Sequence, residues 1–448
     1  MEMSGTMKIA LTGDSILFRR LNSLTDPVIR PLFDLIRACD VSFTNLELVA
    51  NDYVGDPALD HGGTHFGAPS WVLDELADAG FDLFAAATNH SLDYGIAGLR
   101  AMMVQLERRQ LLYAGIGTNL EEARLPAYCT RPAGTVALLS CVSTFARGQE
   151  ASAQTGLMPG RPGINPLHFQ RSHEVTAEEM AQLTRLYERL GLRAELDEKI
   201  RQGFSTAPAA GSLSFDGTRF VTGEQTRTRT VPDARDSADL IRWIGEARLV
   251  SDVVVLSIHG HEGGYNVAGL PDIEIPAEFL RAFTHTAIEA GADIVVCHGP
   301  HLLRGIEIYR GRPIFHGLGN FIGQNELVAR LPMDSYTAFR YTPDMTPHRL
   351  YRGRSENDQK GFPSDIRFWD SIVPVCHFED GSLQDIVLHP VTLGLGLSAH
   401  RRGTPFLATG AQGLRILEHV RDLSAPFGVV LDPDTGRIDL SSHEKSMS

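Results

Sequence analysis

The sequence lacks the features that mark several classes of protein. Its five cysteines include no CxxC pair, and an odd count suits free thiols in a reducing compartment better than a disulfide scaffold. No apolar run approaches the roughly 18 residues of a membrane span. The N-terminus shows no basic region followed by an apolar one, as a secretory signal would. We therefore expect a cytoplasmic protein without a membrane span.

Positive charge is also scarce. The chain has 41 Lys and Arg against 55 Asp and Glu, a net charge of −14, and no basic stripe. This balance argues against a nucleic-acid partner. The apolar fraction of 43% and the charged fraction of 21% are ordinary for a globular enzyme. We expect a small-molecule or peptide-like substrate, and the sequence leaves a homo-oligomer open.

Short apolar runs alternate with amphipathic segments over residues 7–145 and again from Asp236. This rhythm predicts βαβ units and a largely parallel sheet, which is an α/β fold. The predicted domain covers residues 7–395. A helical extension is predicted at 396–448, with its helix over Gly410–Asp422.

The segment 146–235 interrupts the α/β rhythm. It begins with a loop rich in proline and glycine. The spacing of apolar residues then predicts one helix over Thr176–Gln202, with Thr176 and Glu179 as a capping box. A hairpin is predicted at Phe215–Thr218 in a stretch otherwise poor in strands. We interpret the segment as an inserted helical and loop subdomain, which is either a lid or a part that faces the substrate.

Residues that bind metals follow the strand-like runs, where each run ends. Because the carboxyl ends of parallel strands share one edge of a sheet, we expect these side chains to meet. Oxygen and nitrogen ligands without thiolate suit two divalent ions, such as Mn, Fe or Zn, that share a water. Taken alone, Asp14 could instead cap the following helix, and Glu47 could lie on the surface. The candidates are Asp14, Glu47, Asn89, His259, His298 and His301.

Further residues beside these loops are candidates for catalysis and support. His90 is interpreted as the catalytic histidine, because histidine is the usual general acid near neutral pH. Asp93 either orients His90 or caps the following helix. His261 and Glu262 are interpreted as supporting residues that hold the tautomers of the metal ligands.

Three arginines are candidate substrate contacts, because a guanidinium binds carboxylate or phosphate with two hydrogen bonds. They are Arg19, Arg20 and Arg161, and for each the alternative is a solvated surface position. His316 either supports the metal loops or is a core histidine.

The ordered loops resemble those of a known family. The motifs are Gly13-Asp14, Asn45-Leu-Glu47, Asn89-His90 with Asp93-Tyr-Gly95, the His259 loop, Cys297-His-Gly-Pro-His301 and Gly317-Leu-Gly-Asn-Phe321. They are similar to those of the CapA family, the poly-γ-glutamate capsule biosynthesis proteins, which are related to calcineurin-like metallophosphoesterases.

The resemblance implies a four-layer α/β/β/α metallophosphoesterase-like sandwich. It implies the metal role for the six candidates above, the catalytic role for His90, and supporting roles for Asn45 and Asn320. The first loop reads Asp14-Ser-Ile, so the first ion lacks a histidine that ordinary phosphoesterases supply.

The resemblance and the ligand set imply a metal-dependent hydrolase with a dinuclear centre that activates water. The bond cleaved would be a phosphoester or an amide such as a γ-glutamyl linkage. The alternative is a non-catalytic metal-binding component of poly-γ-glutamate synthesis or of another peptide-ligase complex.

Overall fold

Two β-sheets packed face to face form the centre of the molecule. The computed structural model describes residues 5–60 and 63–441. In that part of the chain the strands are β1 (Thr6–Ile16), β2 (Val41–Leu46), β3 (Leu83–Ala85), β4 (Leu112–Ala114), β5 (Ile116–Gly117), β6 (Ala127–Arg131), β7 (Gly134–Val142), β8 (Gly163–Ile164), β9 (Phe169–Val175), β10 (Ser212–Phe215), β11 (Thr218–Thr222), β12 (Arg227–Pro232), β13 (Val253–His259), β14 (Gly263–Tyr265), β15 (Pro271–Pro276), β16 (Ile294–His298), β17 (Ile306–Tyr309), β18 (Arg312–Phe315), β19 (Asn320–Gly323), β20 (Asp370–Glu379), β21 (Ser382–Thr392), β22 (Phe406–Leu407), β23 (Val430–Asp432) and β24 (Arg437–Asp439).

Helices flank both sheets. None of those in the described chain is both long enough and apolar enough to cross a bilayer. They are α1 (Arg30–Arg37), α2 (Trp71–Ala79), α3 (Gly95–Arg108), α4 (Leu120–Ala123), α5 (Ala177–Arg189), α6 (Leu192–Arg201), α7 (Ala234–Arg248), α8 (Glu278–Glu289), α9 (Met333–Ala338), α10 (Pro347–Arg354) and α11 (Gly410–Ser424).

The larger sheet has ten strands, in the order β23-β24-β21-β20-β1-β2-β3-β4, with β19 against β1 and β22 against β21. β1 is parallel to β2 and β19 and antiparallel to β20. The smaller sheet has six strands, in the order β17-β18-β16-β13-β7-β6. Its central strands β7, β13, β16 and β18 are parallel, as the βαβ rhythm predicts.

Three apolar layers separate the four layers of secondary structure. Ile9 and Phe43 of the larger sheet meet Val255 and Val296 of the smaller sheet in the central layer. The opposite face of the larger sheet packs against α1, α2 and α3, and the outer face of the smaller sheet packs against α7 and α8. Burial on both faces explains why the strands read as continuous apolar runs. The architecture is the α/β/β/α sandwich that the family resemblance implies.

The segment 146–235 contains a sheet that the sequence analysis did not predict. Strands β10, β11, β9 and β12 form a four-stranded sheet in that order. The predicted hairpin is confirmed as the β10–β11 turn, and so is the capping box at the start of α5. The predicted single helix is two helices, because Gly191 adopts φ of 76° between α5 and α6.

The C-terminal part joins the larger sheet. Helix α11 is present as predicted and packs its buried side, including Ile416 and Val420, against the central apolar layer. Strand β24 pairs with β21, and β23 pairs with β24 at the sheet edge. The prediction of a helical extension therefore missed these edge strands, each of which is only three residues long.

Candidate metal centre

The predicted ligands lie at the carboxyl ends of strands from both sheets. In the larger sheet Asp14 of β1 pairs with Asn45 of β2, and Glu47 follows directly. In the smaller sheet His259 ends β13 and pairs with His298, which ends β16. Face-to-face packing brings these two strand edges together, so residues far apart in sequence share one site.

Two buried carboxylates share two histidines. The Nδ1 atom of His301 is 3.4 Å from Asp14 Oδ2 and 3.6 Å from Glu47 Oε2. The Nδ1 atom of His259 is 4.0 Å from Asp14 Oδ1, and its Nε2 atom is 3.8 Å from Glu47 Oε1. His298 Nδ1 is 3.7 Å from Asp14 Oδ1. The arrangement therefore brings together five of the six predicted ligands, and Asn89 lines the adjoining cavity.

Backbone geometry explains the His298-Gly-Pro-His301 loop. Gly299 has φ of 105°, and a Cβ atom there would lie 2.7 Å from His261 Cδ2. Its N–H donates to Asp14 Oδ2 at 3.2 Å. His301 itself adopts φ of 60°, an uncommon conformation for a non-glycine residue and one concentrated at functional sites. The loop is thus shaped to present both histidines to Asp14.

His261 lies closer to the centre than a supporting role requires. Its Nε2 atom is 3.2 Å from His259 Nε2. Ligand atoms of Glu47, His261 and His301 all lie within 4.8 Å of one another. The geometry therefore adds His261 to the candidate ligands, although its position two residues after His259 gave no reason to prefer this role.

Several buried polar atoms at the centre suit a cation. Both oxygens of Glu47, both ring nitrogens of His298 and the amide oxygen of Asn45 have no hydrogen-bond partner among the described residues. Burial of such groups without partners costs several kcal/mol for a charge and about 1–3 kcal/mol for a neutral group. A carboxylate and a neutral imidazole are both metal ligands, so the donor set fits divalent cations.

The imidazoles are held in the form that binds metal. Burial lowers the pKa of His298 to about 4 and that of His261 to about 3. Burial also lowers the pKa of His259 well below its usual value, against the opposing charge of Asp14. These three rings are therefore neutral near pH 7, and a neutral imidazole offers a nitrogen lone pair to a cation.

The carboxylates and His301 form a coupled group. Burial raises the pKa of Asp14, but its hydrogen bond with His301 and the neighbouring imidazoles outweigh burial and hold that pKa well below its usual value. Burial raises the pKa of Glu47 well above its usual value. Burial lowers the pKa of His301, but Glu47 and Asp14 raise it to about 9. A proton on His301 thus provides positive charge where a bound cation would.

His90 and Asp93 form a hydrogen-bonded pair at the edge of the centre. His90 Nδ1 is 2.7 Å from Asp93 Oδ2, which also accepts the N–H of Phe66 at 2.7 Å. The Phe66 ring stacks on the His90 ring at 4.1 Å between centroids. Of the two predicted roles for Asp93, the structure has the one that orients His90. The Asp93 side chain does not cap α3, because the residue before that helix is Tyr94, without a side-chain cap.

The predicted supporting residues hold the metal loops. Asn45 Nδ2 donates to Asp14 Oδ1 at 2.7 Å and lies 3.1 Å from His259 Nδ1. Asn320 Oδ1 is 2.9 Å from His301 Nδ1. Glu262 accepts hydrogen bonds from the hydroxyls of Ser143 and Thr144, both at 2.7 Å, and so anchors the His259 loop to the end of β7.

The structure does not bring the predicted arginines to this site. Arg19 donates to the carbonyl of Ala399 and to Thr404, Arg20 pairs with Glu75, and Arg161 bonds to Glu150. His316 is placed in the core, where its Nε2 atom is 3.1 Å from Glu307 Oε2. The partners of Arg19 and Arg20 come from distant parts of the chain, whereas Glu150 and Glu307 lie within about a dozen residues of Arg161 and His316.

A cavity of about 390 Å³ opens onto the metal centre. Its floor includes Asn89, His90, His261 and His301. Its roof comes from residues 325–369, a polar and irregular stretch that the sequence analysis did not connect with the site. The described segment 146–235, predicted to face the substrate, contributes no lining residue. The roof residues are Asn325, Glu326, Tyr351, Arg354, Ser355, Lys360, Gly361, Phe362, Pro363 and Trp369.

Comparison with known proteins identifies the family. Residues 8–325 match the model of a family described as bacterial capsule synthesis protein PGA_cap. The chain belongs to this family. It is 31% identical over 442 residues to the uncharacterised protein y4sH of Sinorhizobium fredii, covering 96% of this chain and 92% of that protein. It is 23% identical over 249 residues to the PGA biosynthesis protein CapA of Bacillus subtilis, covering 55% of this chain and 44% of CapA.

One of the solved structures that the chain matches has only low similarity to it. It is a Staphylococcus aureus protein described as a candidate 5′-nucleotidase in complex with α-ketoglutarate. The identity is 12% and the TM-score is 0.37, and the match covers 93% of this chain and 58% of that one. The four-layer architecture of this PGA_cap chain rests on its own sheets and helices.

The cavity roof lies beyond the part of the chain that matches the PGA_cap family. The match ends at residue 325, and the roof begins there. The strand-end ligands all lie inside the matched region, so the sequence motifs point to the floor of the cavity. The roof has neither a motif nor a regular apolar period that would have identified it.

Proposed function

We propose that this protein is a metal-dependent hydrolase with a dinuclear centre of Mn, Fe or Zn that activates water. The bond cleaved is a phosphoester or an amide such as a γ-glutamyl linkage. The observation that carries the proposal is the pair of buried carboxylates, Asp14 and Glu47, bracketed by imidazoles beside the oriented His90. A purely structural site has no use for His90.

The ligands divide into two sets. Asp14 with His259 and His298 would hold one ion, and Glu47 with His261 and His301 would hold the other, with Asn89 nearby. When bound, the ions would lower the pKa of a water and polarise the scissile group. Asn45 and Asn320 keep Asp14 and His301 in place through their hydrogen bonds.

His90 supplies the proton for the leaving group. The Asp93 carboxylate only accepts hydrogen bonds, so it keeps a proton on His90 Nδ1. The Nε2 atom of His90 then faces the centre, 4.0 Å from Glu47 Oε1. In its imidazolium form His90 carries a second proton on Nε2, and this proton passes to the departing oxygen or nitrogen as the bond breaks, leaving the neutral ring with its proton on Nδ1, which is general acid catalysis.

A second candidate is a non-catalytic metal-binding component of poly-γ-glutamate synthesis. It is favoured by the names of relatives such as the Bacillus subtilis PGA biosynthesis protein CapA, which describe synthesis. The His90–Asp93 pair separates the two candidates. A component that uses metal only for structure does not depend on the protonation of His90.

The test is a screen of the Mn-loaded full chain against chromogenic phosphoesters and a γ-glutamyl anilide. We expect hydrolysis of one class, and loss of activity in Glu47→Gln and His298→Ala. Asp93→Asn is expected to lower kcat by about 10²–10⁴-fold with metal content unchanged, because His90 loses its orienting carboxylate. If activity on every substrate survives replacement of each ligand, the hydrolase proposal is wrong.

A further inference from the structure

We propose that the roof of the cavity contains a binding site for an anionic group of the substrate, with Arg354 as its principal residue and Lys360 beside it. This inference rests on the proposed hydrolase function and specifies its substrate class. The substrate carries a carboxylate or a phosphate group remote from the bond that is cleaved. Arg354 therefore determines specificity from outside the metal centre.

The charged residues of the roof leave a net positive charge. Arg354, Lys360 and Glu326 all line the cavity. Glu326 is neutralised by Arg402, which also pairs with Asp358 at 2.7 Å. Lys360 also has a carboxylate partner, Glu356, so among the described residues Arg354 is the basic roof residue that is not paired with a carboxylate. In a chain with a net charge of −14, such a basic mouth favours an anion that the rest of the surface repels.

Arg354 has the better geometry of the two. Its guanidinium carbon lies over the Phe339 ring, 4.5 Å from the centroid, and this cation–π contact holds the group in place. Within the described residues no carboxylate pairs with Arg354. Its N–H donors at the edge of the guanidinium plane are therefore available for a bidentate oxyanion. Lys360 pairs with Glu356 at 2.6 Å on an exposed surface, so it contributes less.

The walls between the metal centre and Arg354 are aromatic. Phe362 contacts the His301 ring edge to face, with centroids 5.4 Å apart, and Trp369 donates its indole N–H to the Phe362 carbonyl at 2.8 Å. Phe66 and Tyr351 line the same cavity. An apolar linker between two polar groups suits these walls. The site thus fits a small molecule with the scissile group at one end and an oxyanion at the other.

The location of the roof supports a role in specificity. The family match ends at residue 325, before Arg354 and Lys360. The floor with its ligands belongs to the matched region, so this roof lies outside what the family model describes. A separate roof can select the substrate while the floor carries out the chemistry.

Calorimetry on the Mn-loaded full chain tests the site without turnover. The probes are pentanoate, glutarate and 4-phosphonobutanoate, which keep one carboxylate and change the far end to methyl, carboxylate or phosphonate. The variant is Arg354→Gln, and the matched control is Arg349→Gln, an exposed arginine on the same helix. Repeating the titrations on metal-free protein separates the roof from the centre.

We expect the wild type to bind at least one dianion more tightly than pentanoate. Arg354→Gln should weaken that dianion about tenfold or more and leave pentanoate unchanged, because it removes a charge-assisted hydrogen bond. Arg349→Gln should bind all three probes as the wild type does. The dianion with the larger Arg354-dependent gain identifies the group as carboxylate or phosphate.

Equal binding of both dianions by Arg354→Gln and the wild type overturns the inference. The hydrolase proposal fails in a different way, through the absence of metal-dependent turnover in the substrate screen. If Arg354 strengthens the binding of a dianion but no substrate is turned over, the anion site stands and the hydrolase proposal is wrong. If substrate is turned over but Arg354 does not strengthen dianion binding, the hydrolase proposal stands and the anion site is wrong.

Discussion

Individual residues at the centre are ordered by partners that distant parts of the chain provide. That candidate metal ligands lie at the carboxyl ends of strands could be predicted from their place after apolar runs. Their exact partners could not, because the contact of His301 with both carboxylates depends on how the two sheets pack. His261 entered the ligand cluster only in three dimensions. Arg19 and Arg161 were assigned to the substrate by chemistry alone, and their nearest hydrogen-bond acceptors lie elsewhere.

Glu307 offers a prediction on pH at the scale of one residue. Burial raises its pKa, but hydrogen bonds with His316 and Arg281 outweigh burial and hold the pKa at about 2. A carboxyl whose pKa is lower in the folded than in the unfolded state stabilises the fold above about pH 4.3, and this stabilisation is lost as pH falls toward 2. Glu307→Gln should therefore lower the free energy of unfolding by about 1–3 kcal/mol near neutral pH, and by progressively less below pH 4.

Urea unfolding of wild type and Glu307→Gln across pH 2–7 measures this difference. Glu356→Gln is a suitable control, because Glu356 pairs with Lys360 on the exposed surface. If the difference in the free energy of unfolding between wild type and Glu307→Gln stays constant down to pH 2, then His316 and Arg281 do not lower the pKa of Glu307.

Among the helices and strands, those with a regular sequence pattern could be predicted and those without one could not. The buried strands of both sheets, such as β2, β7, β13 and β16, have continuous apolar runs, and these runs are the pattern from which the α/β fold was predicted. Strands β9 and β12 are polar and mostly half-buried, with neither a clean alternation nor an apolar run. The break between α5 and α6 depends on one left-handed glycine in a helical period, which the pattern of apolar residues does not register.

The cavity roof is fastened to the C-terminal part of the chain by Arg402. Its guanidinium bonds to both Glu326 and Asp358, and it is buried. Arg402→Met leaves the carboxylates of Glu326 and Asp358 without their cation. We therefore expect the roof, which residues 325–369 form, to open more often. Hydrogen exchange followed by mass spectrometry should show amides of 325–369 exchanging about 10-fold or more faster, with the strands of both sheets unchanged.

Arg401→Gln is the matched control for this experiment, since Arg401 is exposed and pairs with Asp26. It should leave exchange in the roof as in the wild type. Faster exchange throughout the sheets in Arg402→Met would instead show that Arg402 supports the whole fold.

At the scale of the whole molecule, the sandwich brings two strand edges together to make one site. The rhythm of the sequence and the family motifs were sufficient to predict the α/β/β/α layers and the edge at which the candidate ligands meet, while their binding of metal stays a prediction. The same reasoning looked for a cover in the loop-rich insertion at 146–235, whereas the residues over the described cavity come from the chain beyond residue 325, so a substrate role for the insertion stays a prediction. Which segment folds over a cavity depends on tertiary contacts such as those of Arg402.

The two strand edges are proposed to form a dinuclear metal centre. Elemental analysis measures directly whether the protein binds two metal ions. The full chain is purified without chelator, as wild type and as His298→Ala. We predict about two equivalents of Mn, Fe or Zn per wild-type chain and about one or fewer in the variant, because the ring nitrogens of the buried His298 have no hydrogen-bond partner within residues 5–60 and 63–441 and His298 is a proposed ligand. A wild type without bound metal, and without a thermal shift on addition of Mn or Zn, would contradict the account.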